Sequence, residues 1–184
     1  DADNYTDASI QFVAHLEKML QISTSNATEI VGVQTFTSDY ALYWFDYKAG
    51  YDVVFAEFAL NYSRRLNIAS CRGAATIQNK EWGVMITWKY TEPPYLASGE
   101  HLYENLVMAY ESGAKYVLVF DSNKDYADGT LKQEHFDALK RFWQYKEANP
   151  GRSITSSDRV AFVLPKDYWC GFRGPTERIW GLWE

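Results

Sequence analysis

Tyr51-Asp52-Val53-Val54-Phe55-Ala56-Glu57-Phe58 is the stretch whose reading decides the fold. Its apolar residues follow one another without helical spacing, and a single carboxylate stands next to its end. That is the pattern of a strand buried on both faces, as in a parallel sheet covered by helices. Three more runs, Ile30 to Phe36, Trp82 to Trp88 and Lys115 to Asp121, have the same character. Each closes on a polar or aromatic residue and leads into polar, loop-like sequence. The rhythm predicts a parallel α/β sheet, whose ligands collect at the carboxyl ends of its strands. At that edge the chain offers Gln34, Glu57, Asn61, Trp88 and Asp121, a set suited to a polyhydroxylated ligand such as a sugar.

Helical patterns fill the intervals. Ala8 to Gln21 carries apolar residues three and four apart behind Asp7, a plausible cap. Tyr40 to Tyr47 reads as a turn of helix. Ser63 to Lys80 has helical composition interrupted by Gly73, which costs about 1 kcal/mol relative to Ala and signals close packing. Gly99 to Ser112 ends at Gly113, a fitting C′ residue, and Thr130 to Ala148 is stopped by Asn149-Pro150-Gly151. Glu92-Pro93-Pro94 shapes the loop after the third run, and Arg159 to Leu164 predicts a fifth strand. The reading is one α/β domain over 1–184, with a βα core over 30–164. The remaining 165–184 form an aromatic extension holding Trp169, Trp180 and Trp183, expected to dock on this domain or on a partner. Two architectures fit: a five-stranded doubly wound sheet, or about half of a (β/α)8 barrel. An intact barrel usually needs roughly 250 residues, so the second implies a fragment or assembly with another half.

Composition narrows the function classes. A net charge of −6 argues against nucleic acid, which wants clustered Lys and Arg. No apolar run reaches the roughly 18 residues of a membrane span. Aromatic residues make up 17% of the chain, with 14 Tyr and 7 Trp, enough for core, interface and ligand platforms together. The chain starts at Asp1 without Met, which suggests a processed product, and sequons at Asn4, Asn26 and Asn61 lean towards an extracellular or otherwise extracytoplasmic life. Cys71 and Cys170 are too few for a disulfide scaffold; two buried thiols are the default reading, one long-range disulfide the alternative.

Glu57 is the sharpest candidate for chemistry. A carboxylate near the end of an apolar run is partly desolvated, and in a barrel it points into the mouth as general acid or nucleophile. The competing reading pairs it with Arg64 or Arg65. Asp121 is the natural second carboxylate of a glycosidase, or else a turn or cap residue at the start of its loop. Trp88 offers a stacking face, and Gln34, Asn61 and Arg64 offer hydrogen bonds to hydroxyls. Asp121, Asn123 and Asp125 match the first half of a calcium loop, but Tyr126 and Lys132 stand where its Gly and Glu belong, leaving only a looser calcium site. His15, His101 and His135 lie on predicted helices and read as surface or packing residues. The chain has no G-x-G-x-x-G, P-loop, G-x-S-x-G or H-E-x-x-H motif, which removes the usual dinucleotide, nucleotide, serine-hydrolase and zinc-protease readings.

The run Tyr51 to Phe58, then Arg72-Gly73-Ala74-Ala75, Trp82 to Trp88 and Tyr116 to Asp121, resembles the later βα units of a glycoside-hydrolase-type TIM barrel, over about residues 30–150. The resemblance implies sugar chemistry by two carboxylates at the carboxyl-terminal barrel face, with Glu57 and Asp121 at the matching positions. It departs from the family pattern in lacking an Asn-Glu pair at the exit of a middle strand. Two functional readings follow. One is a glycoside-hydrolase-like domain that acts on or binds carbohydrate. The other is a noncatalytic, self-associating secreted protein that uses its aromatic tail and strand edges.

Overall fold

The computed structural model describes residues 3–25, 33–58, 63–86, 97–120, 131–151, 163–164 and 167. They form an α/β fold in the order α1 (Tyr5–Ser25), β1 (Phe36–Asp39), α2 (Tyr43–Lys48), β2 (Val53–Phe58), α3 (Arg64–Ile77), β3 (Glu81–Ile86), α4 (Gly99–Glu111), β4 (Tyr116–Val119) and α5 (Gln133–Ala148). The four strands make one sheet, ordered β1-β2-β3-β4 and parallel throughout. Strand order follows chain order. The reversal that opens a crevice in a doubly wound sheet is therefore not present among the described strands.

Alternation along the strands divides the apolar residues between two faces. Val54, Ala56 and Phe58 of β2 join Trp82, Val84 and Ile86 of β3 in one buried cluster with residues of α2, α3, α4 and α5. The helices α2, α3, α4 and α5 thus share one core on one face, which anchors the sheet. Tyr47 strengthens the joint between layers: its hydroxyl accepts from Val54 N at 3.3 Å and donates to the Glu81 carbonyl at 2.6 Å.

The second face carries Val53, Phe55, Met85 and Tyr116. Phe36 stacks on Phe55 with centroids 6.0 Å apart, and meets Tyr116 edge-on at 5.6 Å. Gly83 makes room for this trio. A Cβ there would lie 2.6 Å from the Phe55 ring and 2.8 Å from the Tyr116 carbonyl oxygen.

Several boundaries differ from the sequence reading. β1 begins at Phe36, where the apolar run was expected to end, because Thr35 is pinned beside the start of β2. The Asp52 carboxylate accepts from Thr35 N at 2.9 Å and from its hydroxyl at 3.0 Å, and Phe36 then registers with Val53. α1 starts a turn earlier than expected, since Asn4 rather than Asp7 accepts the capping bond, from Asp7 N at 3.0 Å. Gly73 does not mark a close approach: a Cβ there meets nothing within 4 Å. Gly113, at φ 83, ends α4 as expected. Arg159 to Leu164 lies outside the described residues apart from 163–164, which belong to no strand. Within the extension, buried Asp167 docks on α1, accepting from Thr6 Oγ1 at 3.0 Å and Ser9 Oγ at 3.2 Å. None of the described helices is long and apolar enough to cross a membrane.

Candidate functional site

Glu57 is the penultimate residue of β2, half-buried, on the face away from the helices. Its Oε1 accepts a hydrogen bond from Ser38 Oγ at 2.9 Å. Register explains the contact. Ser38 pairs with Phe55, so Glu57 lies one diagonal step further along the same face, within reach of a long side chain. Next to Glu57 in the same register are Met85 of β3 and Leu118 of β4, both apolar. Among its contacts the carboxylate therefore counts a hydroxyl on the β1 side, and its neighbours in register on the other side are apolar.

The surrounding elements fix the strand end. Asn67 Nδ2, in the first turn of α3, donates to the Glu57 backbone carbonyl at 2.8 Å. Ser63 caps α3, accepting from Leu66 N at 3.4 Å. Asp39 closes β1 and opens α2 by accepting from Ala41 N and Leu42 N at 2.6 and 2.7 Å. Behind the strand, burial pushes the Tyr43 phenol far above its ordinary value, with Cys71, Asp39, Glu57 and Asp46 adding to the effect. It stays a neutral hydroxyl. Burial likewise pushes the Cys71 thiol up, and its Sγ sits 3.5 Å from the Val54 carbonyl. A buried protonated thiol is no nucleophile.

Arg64 is the first residue of α3. Its guanidinium lies over the Phe58 ring, 5.9 Å from the centroid. Phe58 belongs to the cluster under the helices, so the ring that Arg64 covers lies on the opposite face of β2 from the Glu57 side chain. Gln34 precedes β1, and its side chain hydrogen-bonds Glu81, the first residue of β3. That is the amino edge of the sheet. Gln34 was expected at the carboxyl edge because the first strand was read six residues too early, at Ile30 instead of Phe36.

No protein-family model matches the chain, and no curated protein or solved structure does.

Asn61, Trp88, Asp121, Asn123 and Asp125 lie outside the described residues, as does Cys170. The helices that follow the Trp88 and Asp121 segments are nonetheless tied together. Buried His135 accepts from Lys132 N at Nδ1, 2.8 Å, and its Nε2 lies 2.8 Å from the Ala97 carbonyl, to which it donates as the neutral tautomer. Glu134 accepts from Gly99 N at 2.9 Å. A Cβ at Gly99 would come within 2.4 Å of the Glu134 carbonyl oxygen, so glycine is what lets the two helix starts meet. Among the described residues no group of three or more His, Cys, Asp or Glu is arranged to hold a metal ion.

The amino edge holds charge of a different kind. Lys80 pairs with Asp52 at 3.2 Å, and Lys115 pairs with Glu81, which also accepts from Tyr116 OH at 2.9 Å. These carboxylates are neutralised where strands begin, which suits stability. Glu57, near the end of its strand, accepts from the Ser38 hydroxyl. Ser38 went unread in the sequence. A serine two residues beyond Phe36 carries no signal until the parallel register sets it beside Glu57.

Proposed function

We propose that this chain is a carbohydrate-active domain of glycoside-hydrolase type, forming about half of a (β/α)8 barrel, with its chemistry centred on Glu57. The observation that carries the reading is the Glu57 carboxylate itself: half-buried, near the carboxyl end of a central parallel strand, on the face away from the helices and held by Ser38. Strand order equal to chain order, helices on one face and rings from β1 and β4 in contact support a sheet that curls as a barrel wall does. In this reading the segment after β4 supplies Asp121 as the second carboxylate, and Trp88 and Asn61 bind sugar from the segments after β3 and β2. Calcium at Asp121, Asn123 and Asp125 is a further element of the proposal.

Chemical-shift mapping with a panel of oligosaccharides tests it. Perturbations at Ser38, Glu57 and Met85, with Asp52 and Glu81 at the amino edge unmoved, are the expected result. Perturbation confined to the amino edge, or none with any saccharide, would overturn it.

A second reading, self-association, is favoured by the 45% exposure of Phe36 and the 43% exposure of Leu118 on the sheet face away from the helices. Light scattering at micromolar concentration separates the two: a strict monomer removes the assembly reading.

A further inference from the structure

We propose that Asn4 is a glycosylation site, which takes an oligosaccharide on its side-chain nitrogen from a lipid diphosphate donor and carries it on the cap of α1. The proposal goes beyond the glycosidase reading and does not rest on it: Asn4 stands just before α1, and Glu57 near the carboxyl end of β2.

Asn4-Tyr5-Thr6 is an Asn-x-Thr sequon. The motif becomes a site only if the folded chain leaves the amide nitrogen open and loses nothing when that nitrogen is substituted. Asn4 meets both conditions. It is exposed, and it caps α1: its carbonyl accepts from Ala8 N at 2.9 Å and its Oδ1 from Asp7 N at 3.0 Å. A backbone N–H donates only to the oxygen of a side-chain amide, so the capping bond fixes which way the amide is turned. Nδ2 is then the free end, and among the described residues it donates to no acceptor. Asn67 and Asn149 differ, each spending Nδ2 on a backbone carbonyl at 2.8 Å.

A glycan on Nδ2 leaves Oδ1 in place, so glycan and cap share one side chain. The other two residues of the sequon serve the fold. Tyr5 packs against the cluster of Ala41, Leu42 and Phe45, and the Thr6 hydroxyl donates to Asp167 at 3.0 Å. A transferase needs that hydroxyl. Transfer therefore belongs to the chain before Asp167 docks on α1, and the folded protein then holds the glycan at an exposed helix start, where its bulk meets solvent.

The step balances. Nδ2 bonds to the anomeric carbon of the donor sugar as the bond from that carbon to the diphosphate oxygen breaks. The electron pair leaves with the diphosphate, and the nitrogen gives up one proton. Nothing is oxidised or reduced.

The test presents the full chain, freshly diluted from urea, to an oligosaccharyltransferase with its lipid diphosphate oligosaccharide, beside a control acceptor peptide. Release by peptide N-glycosidase in heavy-oxygen water then marks each modified asparagine for peptide mass spectrometry. The expected result is a mark on the Asn4 peptide that is lost in Thr6→Ala and in Asn4→Asp, a variant that keeps a capping oxygen and so keeps the fold. An unmarked Asn4 peptide beside a modified control, whether or not Asn26 and Asn61 are marked, would overturn the proposal. Melting of the glycosylated, refolded chain gives a second readout. Its midpoint should lie at or above that of the unmodified chain, and a lower midpoint would show that the glycan displaces the cap, contradicting the assignment of Nδ2 as the free end.

Discussion

Phe36 on β1 and Tyr116 on β4 stand on the outer strands of the described sheet, yet their ring centroids are 5.6 Å apart at an interplanar angle of 85°. On a flat sheet their strands would be three spacings apart, roughly 14 Å. Phe36 reaches across by stacking on Phe55, whose ring lies against Gly83 of β3, where no side chain holds it off. One glycine thus lets the first and last strands share a cluster beneath the level of Glu57.

Gly83→Ala tests that cluster. Its methyl would press on the Phe55 ring and on the Tyr116 carbonyl, and backbone cannot move aside cheaply. A loss of about 1–3 kcal/mol is expected. Urea denaturation should show a lower midpoint at unchanged slope.

Gly73→Ala should act in the opposite direction. The site sits inside α3, its backbone is helical, and an added Cβ meets no neighbour. A gain of up to about 1 kcal/mol is expected, from helix propensity and from the less flexible unfolded chain. A thermal melt decides it.

His135→Ala removes the capping bond within the start of α5 and the bond to Ala97 ahead of α4, leaving the Glu134–Gly99 bond between the two helix starts. It leaves Lys132 N and the Ala97 carbonyl to find new partners and empties a buried site. The expected cost is about 2–4 kcal/mol. Hydrogen exchange should rise first at Gly99 to Leu102 and at His135 to Ala138, since those turns lose their tie.

Acid should weaken the amino edge before the rest. The Thr35 N–H, the Thr35 hydroxyl and Lys80 hold the Asp52 carboxyl below its ordinary value of 3.8. The unfolded chain then binds more protons than the folded one near that pH. The Asp52 contribution is complete above the unfolded value and is lost as the pH falls through the folded one. Glu81, held low by Lys115, Tyr116 and Gln34, adds to the same limb. Asp52→Asn should flatten the fall in denaturation midpoint below about pH 4.

Sequence alone made the interior legible and the edges not. β2 and β3 could be read because Val53 to Phe58 and Trp82 to Ile86 are apolar on both faces. β1 could not: Phe36-Thr37-Ser38-Asp39 is an outer strand of the described sheet whose polar residues serve Glu57 and α2, so its apolar count is low. That error carried Gln34 to the wrong edge. The place of Glu57 near the end of β2 was legible because a carboxylate in an apolar run is conspicuous. Its partner Ser38 was not, because register between strands is set by long-range pairing. Gly73 misled because tight packing and open space look alike in a sequence.

The most direct measurement is hydrolysis of a panel of aryl glycosides and oligosaccharides by the purified chain and by Glu57→Gln, each with calcium and with chelator. The account predicts turnover by the native chain that falls at least about a thousandfold in Glu57→Gln while the fold and melting temperature hold. Equal turnover by both proteins, or none by the native chain on any substrate, would contradict it.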